Sequence, residues 1–177
     1  SPKANQAANT LIAVRVIAKD SIEVYQDYWH FDDAEIADST GVWAIMPWEI
    51  YSAMEKAVID GKVAFSRSSA VGKNIGWLSL LVPNDADMIK SNLEEFKKSA
   101  FVPAALTQFE SNPQYYDSRY SSSISWIVQN NHAIISNGPF YLESYSPEAR
   151  TITTRAFDDP TYPFEADSFD RLCEYAS

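Results

Sequence analysis

Asn137–Phe164, NGPFYLESYSPEARTITTRAFDDPTYPF, is the stretch whose reading decides the fold class. Asn137 and Gly138 suit unusual backbone angles, and Pro139 fixes the direction in which the chain leaves them. Phe140, Leu142 and Ser144 alternate with Tyr141, Glu143 and Tyr145, the period-two pattern of a half-buried strand. Ser146-Pro147-Glu148-Ala149 supplies a turn. Ile152, Thr154 and Ala156 then alternate with Thr151, Thr153 and Arg155 on the return. The physical content is a β-hairpin with a proline-pinned exit.

Upstream, His132–Ser136 (HAIIS) leads into this hairpin as a short strand or extended segment. A helix over about Asp117–Asn130 carries Tyr120, Ile124, Ile127 and Val128 on one face. Pro103 opens a short helical piece that should stop before Asn112-Pro113. Asn84 to about Ala100 reads as a longer helix, with Asn84 capping toward Asp87 and Ile89, Leu93, Phe96 and Ala100 as its stripe. Pro47–Asp60 reads as another, with Glu49 in the first turn, Gly61 as the cap, and Trp48, Tyr51, Met54 and Val58 sharing a face. At the front, Thr10–Ala18 (TLIAVRVIA) is a continuous apolar, β-branched run, expected to be a buried strand. Asp20-Ser21 turns the chain into a second strand through Ile22 and Val24. Strands at both ends with three or so helices between them favour an α+β fold with one mixed or antiparallel sheet. No linker rich in Gly, Ser or Pro divides the chain, so a single domain over residues 1–177 is expected.

The order Gly-Pro-[Phe/Tyr]-x-Leu, a polar surface turn, Ile-x-x-x-Arg-like spacing and an acidic-Pro-x-Tyr exit resembles the family 5 extracellular solute-binding proteins. These are the peptide, oligopeptide and nickel receptors of ABC importers. The matching residues are Gly138-Pro139-Phe140, Pro147-Glu148-Ala149, Arg155 and Asp158-Asp159-Pro160-Thr161-Tyr162. Where the family has Thr-Gly-Pro-Tyr, a Pro-Gly turn and Arg-Asn-Pro-x-Tyr-Trp, this chain differs in detail and keeps the turn chemistry. The resemblance implies a lobe fragment of a periplasmic-binding-protein-like fold (type II, cluster C). It implies a non-enzymatic role and a place outside the cytoplasm, periplasmic or at the cell surface. The partners it implies are a peptide or similar small solute and a membrane permease. The two lobes of such receptors close over the solute at a hinge, so one lobe alone is expected to fold and to bind weakly or not at all.

Composition bounds the alternatives. A chain of 177 residues with 46% hydrophobic residues can bury roughly 70% of its unfolded surface, so it has a core. The net charge of −10, with no basic run longer than Lys97-Lys98, makes nucleic acid and anionic membrane surfaces poor partners. The single cysteine, Cys173, allows no internal disulfide and lacks the flanking motif of a nucleophile. The chain opens Ser1-Pro2-Lys3 without an initiator Met, as a processed or excised product would.

Candidate chemistry is sparse. His30, Asp32, Asp33 and Glu35 lie close in sequence without the spacing of a metal site, and read as a solvated acidic loop. His132 has no nearby partner and reads as a hydrogen-bonded side chain. Asp32-Asp33, Glu94-Glu95 and Asp158-Asp159 are carboxylate pairs of the kind a secreted carbohydrate-active enzyme uses. That enzyme, or a stand-alone protein-interaction module, is the alternative to solute binding. Neither a cofactor nor a metal is implied. Among the tryptophans, Trp48 and Trp126 fall on helical stripes and belong to a core. Trp43 and Trp77, beside Gly41 and Gly76, are the expected ligand-binding residues, because flat apolar faces bind side chains or sugars at low entropy cost.

Overall fold

Apolar residues three and four apart put Ala86, Ile89, Leu93 and Phe96 on one face of a seventeen-residue helix, Pro83–Ser99, and that face is buried. In the computed structural model, which describes residues 9–18, 21–40, 45–146 and 148–159, this helix lies at the centre of the core. In chain order the elements are β1 (Leu11–Ala18), β2 (Ser21–Gln26), α1 (Asp33–Thr40), α2 (Trp48–Ile59), β3 (Val63–Ala64), α3 (Arg67–Lys73) and β4 (Gly76–Trp77). They continue with α4 (Pro83–Ser99), a 3-10 turn (Ala104–Leu106), α5 (Pro113–Asn130), β5 (Phe140–Ser146) and β6 (Thr151–Ala156). The fold is α+β. Residues divide into two compact units, Ser1–Ile45 and Met46–Ser177.

In the larger unit α4 packs against both α2 and α5. Ala53, Ala57 and Ala86 are fully covered, and their small side chains let the backbones of α2 and α4 approach. Asn92 reaches across and donates to the Ala53 carbonyl at 2.9 Å. The fully covered face of α2 is Glu49, Ile50, Ala53 and Ala57, and of the expected stripe Trp48, Met54 and Val58 pack half-buried against this core. Tyr51, placed on that stripe by spacing, is exposed instead. On α5 the buried face is Tyr116, Tyr120, Ser123 and Ile127, while Val128 faces outward.

Helix ends follow local chemistry, with two shifts from expectation. The short piece after Pro103 stops before Asn112-Pro113 as expected, but α5 starts there and not near Asp117, because the Asn112 side chain accepts the Gln114 N–H at 3.0 Å and Pro113 takes the first helical position. Pro83 likewise begins α4, which leaves Asn84 inside the first turn and not at the cap. Gly61 (φ +74) ends α2 as expected, its N–H bonded to the Val58 carbonyl while Lys62 N–H reaches Ala57. The same arrangement ends α4, but there the left-handed residue is Ala100 (φ 50), which carries a Cβ into that region.

Among the described residues the expected single sheet is not formed, and the strands make three two-stranded ribbons: β1–β2 and β5–β6 antiparallel, β3–β4 parallel. Helices supply the core, and each ribbon satisfies only its own inner edges. The hairpin at the end is present, with Phe140 opposite Ala156 and Ser146 opposite Thr151. Its period breaks once: Leu142 faces Thr154 and Ser144 faces Thr153, so Glu143 is an extra residue at a bulge. Asn137 and Gly138 do not take positive φ; Arg150, in the turn, does (φ 53).

In the smaller unit β1 departs most from expectation. Leu11–Ala18, within the run Thr10–Ala18, forms a strand but is not buried, and Ile12 is 70% exposed. A lone ribbon shows both faces to solvent, so a continuous apolar run gains no cover from pairing alone. The segment read as an acidic loop contains α1, whose first turn holds Asp33 and Glu35. Asp32 starts it by accepting the Ala34 N–H at 2.9 Å. Gln26 ties β2 to α1 through the Ser39 hydroxyl and the Ile36 carbonyl.

Replacing Ala100 with Gly relieves the left-handed Cβ clash. Denaturant unfolding of Ala100→Gly should show a gain of about 1 kcal/mol, whereas an ordinary αR site would lose about that amount.

Candidate functional site

Three arrangements in the larger unit carry chemistry. The first is a buried ion pair between α2 and α5. Glu49 is 1% exposed and its carboxylate accepts from Arg119 (Nη2–Oε1 2.8 Å, Nε–Oε2 3.3 Å) and from the Ser123 hydroxyl at 2.8 Å. The helical spacing of Arg119 and Ser123 on α5 puts both on the carboxylate at once. Arg119 keeps part of its guanidinium in water, so the desolvation burden falls on Glu49. Sequence placed Glu49 in the first turn of the helix; a carboxylate among apolar neighbours shows no local signal for its distant partner.

Beside this pair stands an aromatic cluster. Trp48 stacks on Tyr115 (centroids 6.5 Å) and meets Tyr116 and Tyr120 edge-on at 5.7 and 5.6 Å. Tyr120 donates to the Phe101 carbonyl at 2.8 Å and Tyr116 to the Glu110 carbonyl at 2.7 Å. Burial, with Glu49 next, pushes the Tyr120 phenol up to about 12. Tyr116 is raised too, by burial and then by Glu110. Both tyrosines line a cavity of about 540 Å3, bounded by the end of α4, the 3-10 turn and the start of α5. Lys97, Glu110 and Asp117 supply its charges, and Val102 and Pro113 part of its apolar wall. Its size falls in the usual ~300–1,000 Å3 range of small-ligand pockets.

The third arrangement is a surface. Trp77 is 59% exposed on β4, a strand where sequence suggested a loop, and its indole N–H donates to the Phe65 carbonyl at 3.2 Å. Phe65 stacks nearly parallel on Tyr51 (6.3 Å, 15°), and both rings are also exposed. The Trp77 indole is thus tied to the backbone of the residue whose ring stacks on Tyr51. Trp43, the other residue singled out from the sequence, lies outside the described residues, as does Cys173.

The remaining expectations resolve one by one. Trp48 packs on the core, and Trp126 meets His132 and Tyr141 edge-on at 6.0 and 5.8 Å. His132 is buried and hydrogen-bonded: Nδ1 accepts the Ile134 N–H at 3.2 Å, which leaves Nε2 to donate to the Leu142 carbonyl at 2.9 Å. This side chain hangs β5 on the end of α5. His30 stacks on Phe31 at 4.3 Å, and Asp32 caps α1. Asp32-Asp33 lie at the start of α1; Glu94-Glu95 lie on α4, where Glu95 pairs with Lys56 at 3.4 Å. No group of three or more His, Cys, Asp or Glu side chains that could hold a metal occurs among the described residues. No described helix is long and apolar enough to cross a membrane. No protein-family model matches the chain, and no curated protein matches it.

The buried pair should respond asymmetrically to mutation. Arg119→Ala strands the Glu49 carboxylate and should cost about 3–5 kcal/mol in denaturant unfolding. Glu49→Gln keeps an acceptor for Ser123 and leaves Arg119 able to reach water, so its cost should be about 1–2 kcal/mol. Equal losses would contradict this.

Tyr120 sets a pH limit. Its folded pKa of about 12 lies above the ordinary 10.0, so the unfolded chain releases this proton first. The corresponding stability is complete below the ordinary value and is lost as pH rises through the folded one. Tyr120→Phe should flatten part of the alkaline fall in stability followed by circular dichroism; an unchanged profile would count against the assignment.

Proposed function

We propose that this chain is one lobe's part of the solute-capturing component of an ABC importer. It works outside the cytoplasm on peptides or similar small solutes and passes them to a membrane permease. The observation that carries the reading is the Phe140–Ala156 hairpin, two neighbouring antiparallel strands with a polar turn, hung from the larger unit through His132 and Trp126. That is the strand–turn–strand order on which the resemblance to the family 5 receptors rests. The cluster-C lobe fold belongs to the same proposal.

The exposed face of Tyr51, Phe65 and Trp77 supports it from the chemical side. Rigid rings held by a hydrogen bond and a stacking contact offer apolar area with little entropy left to lose. A peptide side chain laid on that face gains contact without displacing a protein group. In a two-lobe receptor such contacts shift the population toward the closed state only when the second lobe supplies the other half.

The whole receptor, purified without added solute, should carry a heterogeneous set of small peptides visible by native mass spectrometry. Trp77→Ala should deplete that set while leaving thermal unfolding within about 0.5 kcal/mol of the parent, since the residue is largely exposed. A receptor that emerges clean, or whose cargo ignores the substitution, would refute the reading.

A further inference from the structure

We infer that the cavity between the end of α4 and the start of α5 binds a small organic cation, a protonated amine on an apolar body. The reason lies in the direction of its hydrogen bonds. Tyr116, Tyr120 and Thr107 line the cavity, and each directs its hydroxyl hydrogen into a backbone carbonyl: Glu110 at 2.7 Å, Phe101 at 2.8 Å and Ala104 at 2.8 Å. Each hydroxyl oxygen keeps its acceptor capacity and offers no donor. A wall of this kind suits a ligand rich in N–H groups and opposes one rich in acceptors.

Charge points the same way. The cavity has one cation and two carboxylates. Lys97 is held by Ser121 at 2.8 Å and by Asp117 at 3.7 Å, so that pair is internally balanced. Glu110 takes one backbone N–H, from Asn112 at 2.8 Å, and no cationic side chain pairs with it among the described residues. One carboxylate is therefore left without a cation in a cavity whose lining joins tyrosine rings and aliphatic side chains to Ser111, Gln114 and the Lys97–Asp117 pair. An ammonium meets the carboxylate and the ring faces together, and its hydrocarbon part covers Val102 and Pro113.

This site is separate from the aromatic face invoked for solute capture, so its failure leaves that reading untouched. The ammonium could belong to a free amine or to a peptide's N-terminus, and the test separates the two sources.

Isothermal titration of the chain should use phenethylamine, 2-phenylethanol and phenylacetate, which share a ring and differ in charge. Phenethylamine should bind saturably, the alcohol about tenfold or more weaker, and phenylacetate not measurably. Glu110→Gln, which retains the acceptor for Asn112, should weaken the amine about tenfold and leave the alcohol unchanged. Thr107→Phe, at the exposed rim, should abolish binding by occupying space. Should Glu110→Gln not fold, salt decides: rising ionic strength should weaken the amine and not the alcohol. Equal binding of amine and alcohol, indifference to both the substitution and salt, or no amine binding at all would overturn the proposal. A Phe-Gly-Gly peptide that binds better than its N-acetyl form assigns the natural source to peptides; exclusion of both, with phenethylamine bound, assigns it to free amines.

Discussion

Burial of α4 between α2 and α5 is the constraint on which the larger unit depends. Ile89 and Leu93 are wholly covered, and the alanines of α2 make the approach close enough for Asn92 to bond a neighbouring backbone carbonyl. Everything of chemical interest is hung on that packing. The aromatic cavity opens where α4 ends, and Trp77 sits on the strand that precedes α4. β5 is suspended from the residue that follows the last turn of α5.

Polar groups inside this packing specify geometry more than they add stability. A carboxylate as covered as Glu49 is tolerated because three donors meet it, and those donors come from one face of α5. The pair therefore fixes the rotation of α2 against α5. That rotation sends Tyr51 outward to stack on Phe65, and aims Trp48 at the tyrosines. One buried contact thus orients both the exposed aromatic face and the wall of the cavity.

Much of this was legible in the residues. Helices α2, α4 and α5, the Gly61 cap and the late hairpin follow from periodicity and turn chemistry, which are local. Burial was less legible where it depends on what lies opposite. The apolar run Leu11–Ala18 pairs with a single strand and stays exposed, and no residue within it announces the lack of a covering layer. On α2 the expected Trp48, Met54 and Val58 reach the core in part and Tyr51 does not, while the close helix contact selects Ala53 and Ala57, which weigh little in any count of hydrophobicity. At the candidate site, Trp77 was recognisable as an aromatic near a glycine. The cavity was not, since Tyr116, Tyr120, Thr107 and Glu110 acquire their meaning only from the carbonyls and amide they bond. Glu49 and Arg119 stand seventy residues apart, and spacing carries no trace of their pairing.

The claim that the larger unit rests on a helical core, while the described ribbons gain little cover, is tested most directly by amide hydrogen exchange followed along the chain. The account predicts that α2, α4 and α5 share one high level of protection and open together, while β1 and β6 exchange much faster. Protection of β1 equal to that of α4, or independent opening of α4 and α2, would contradict it.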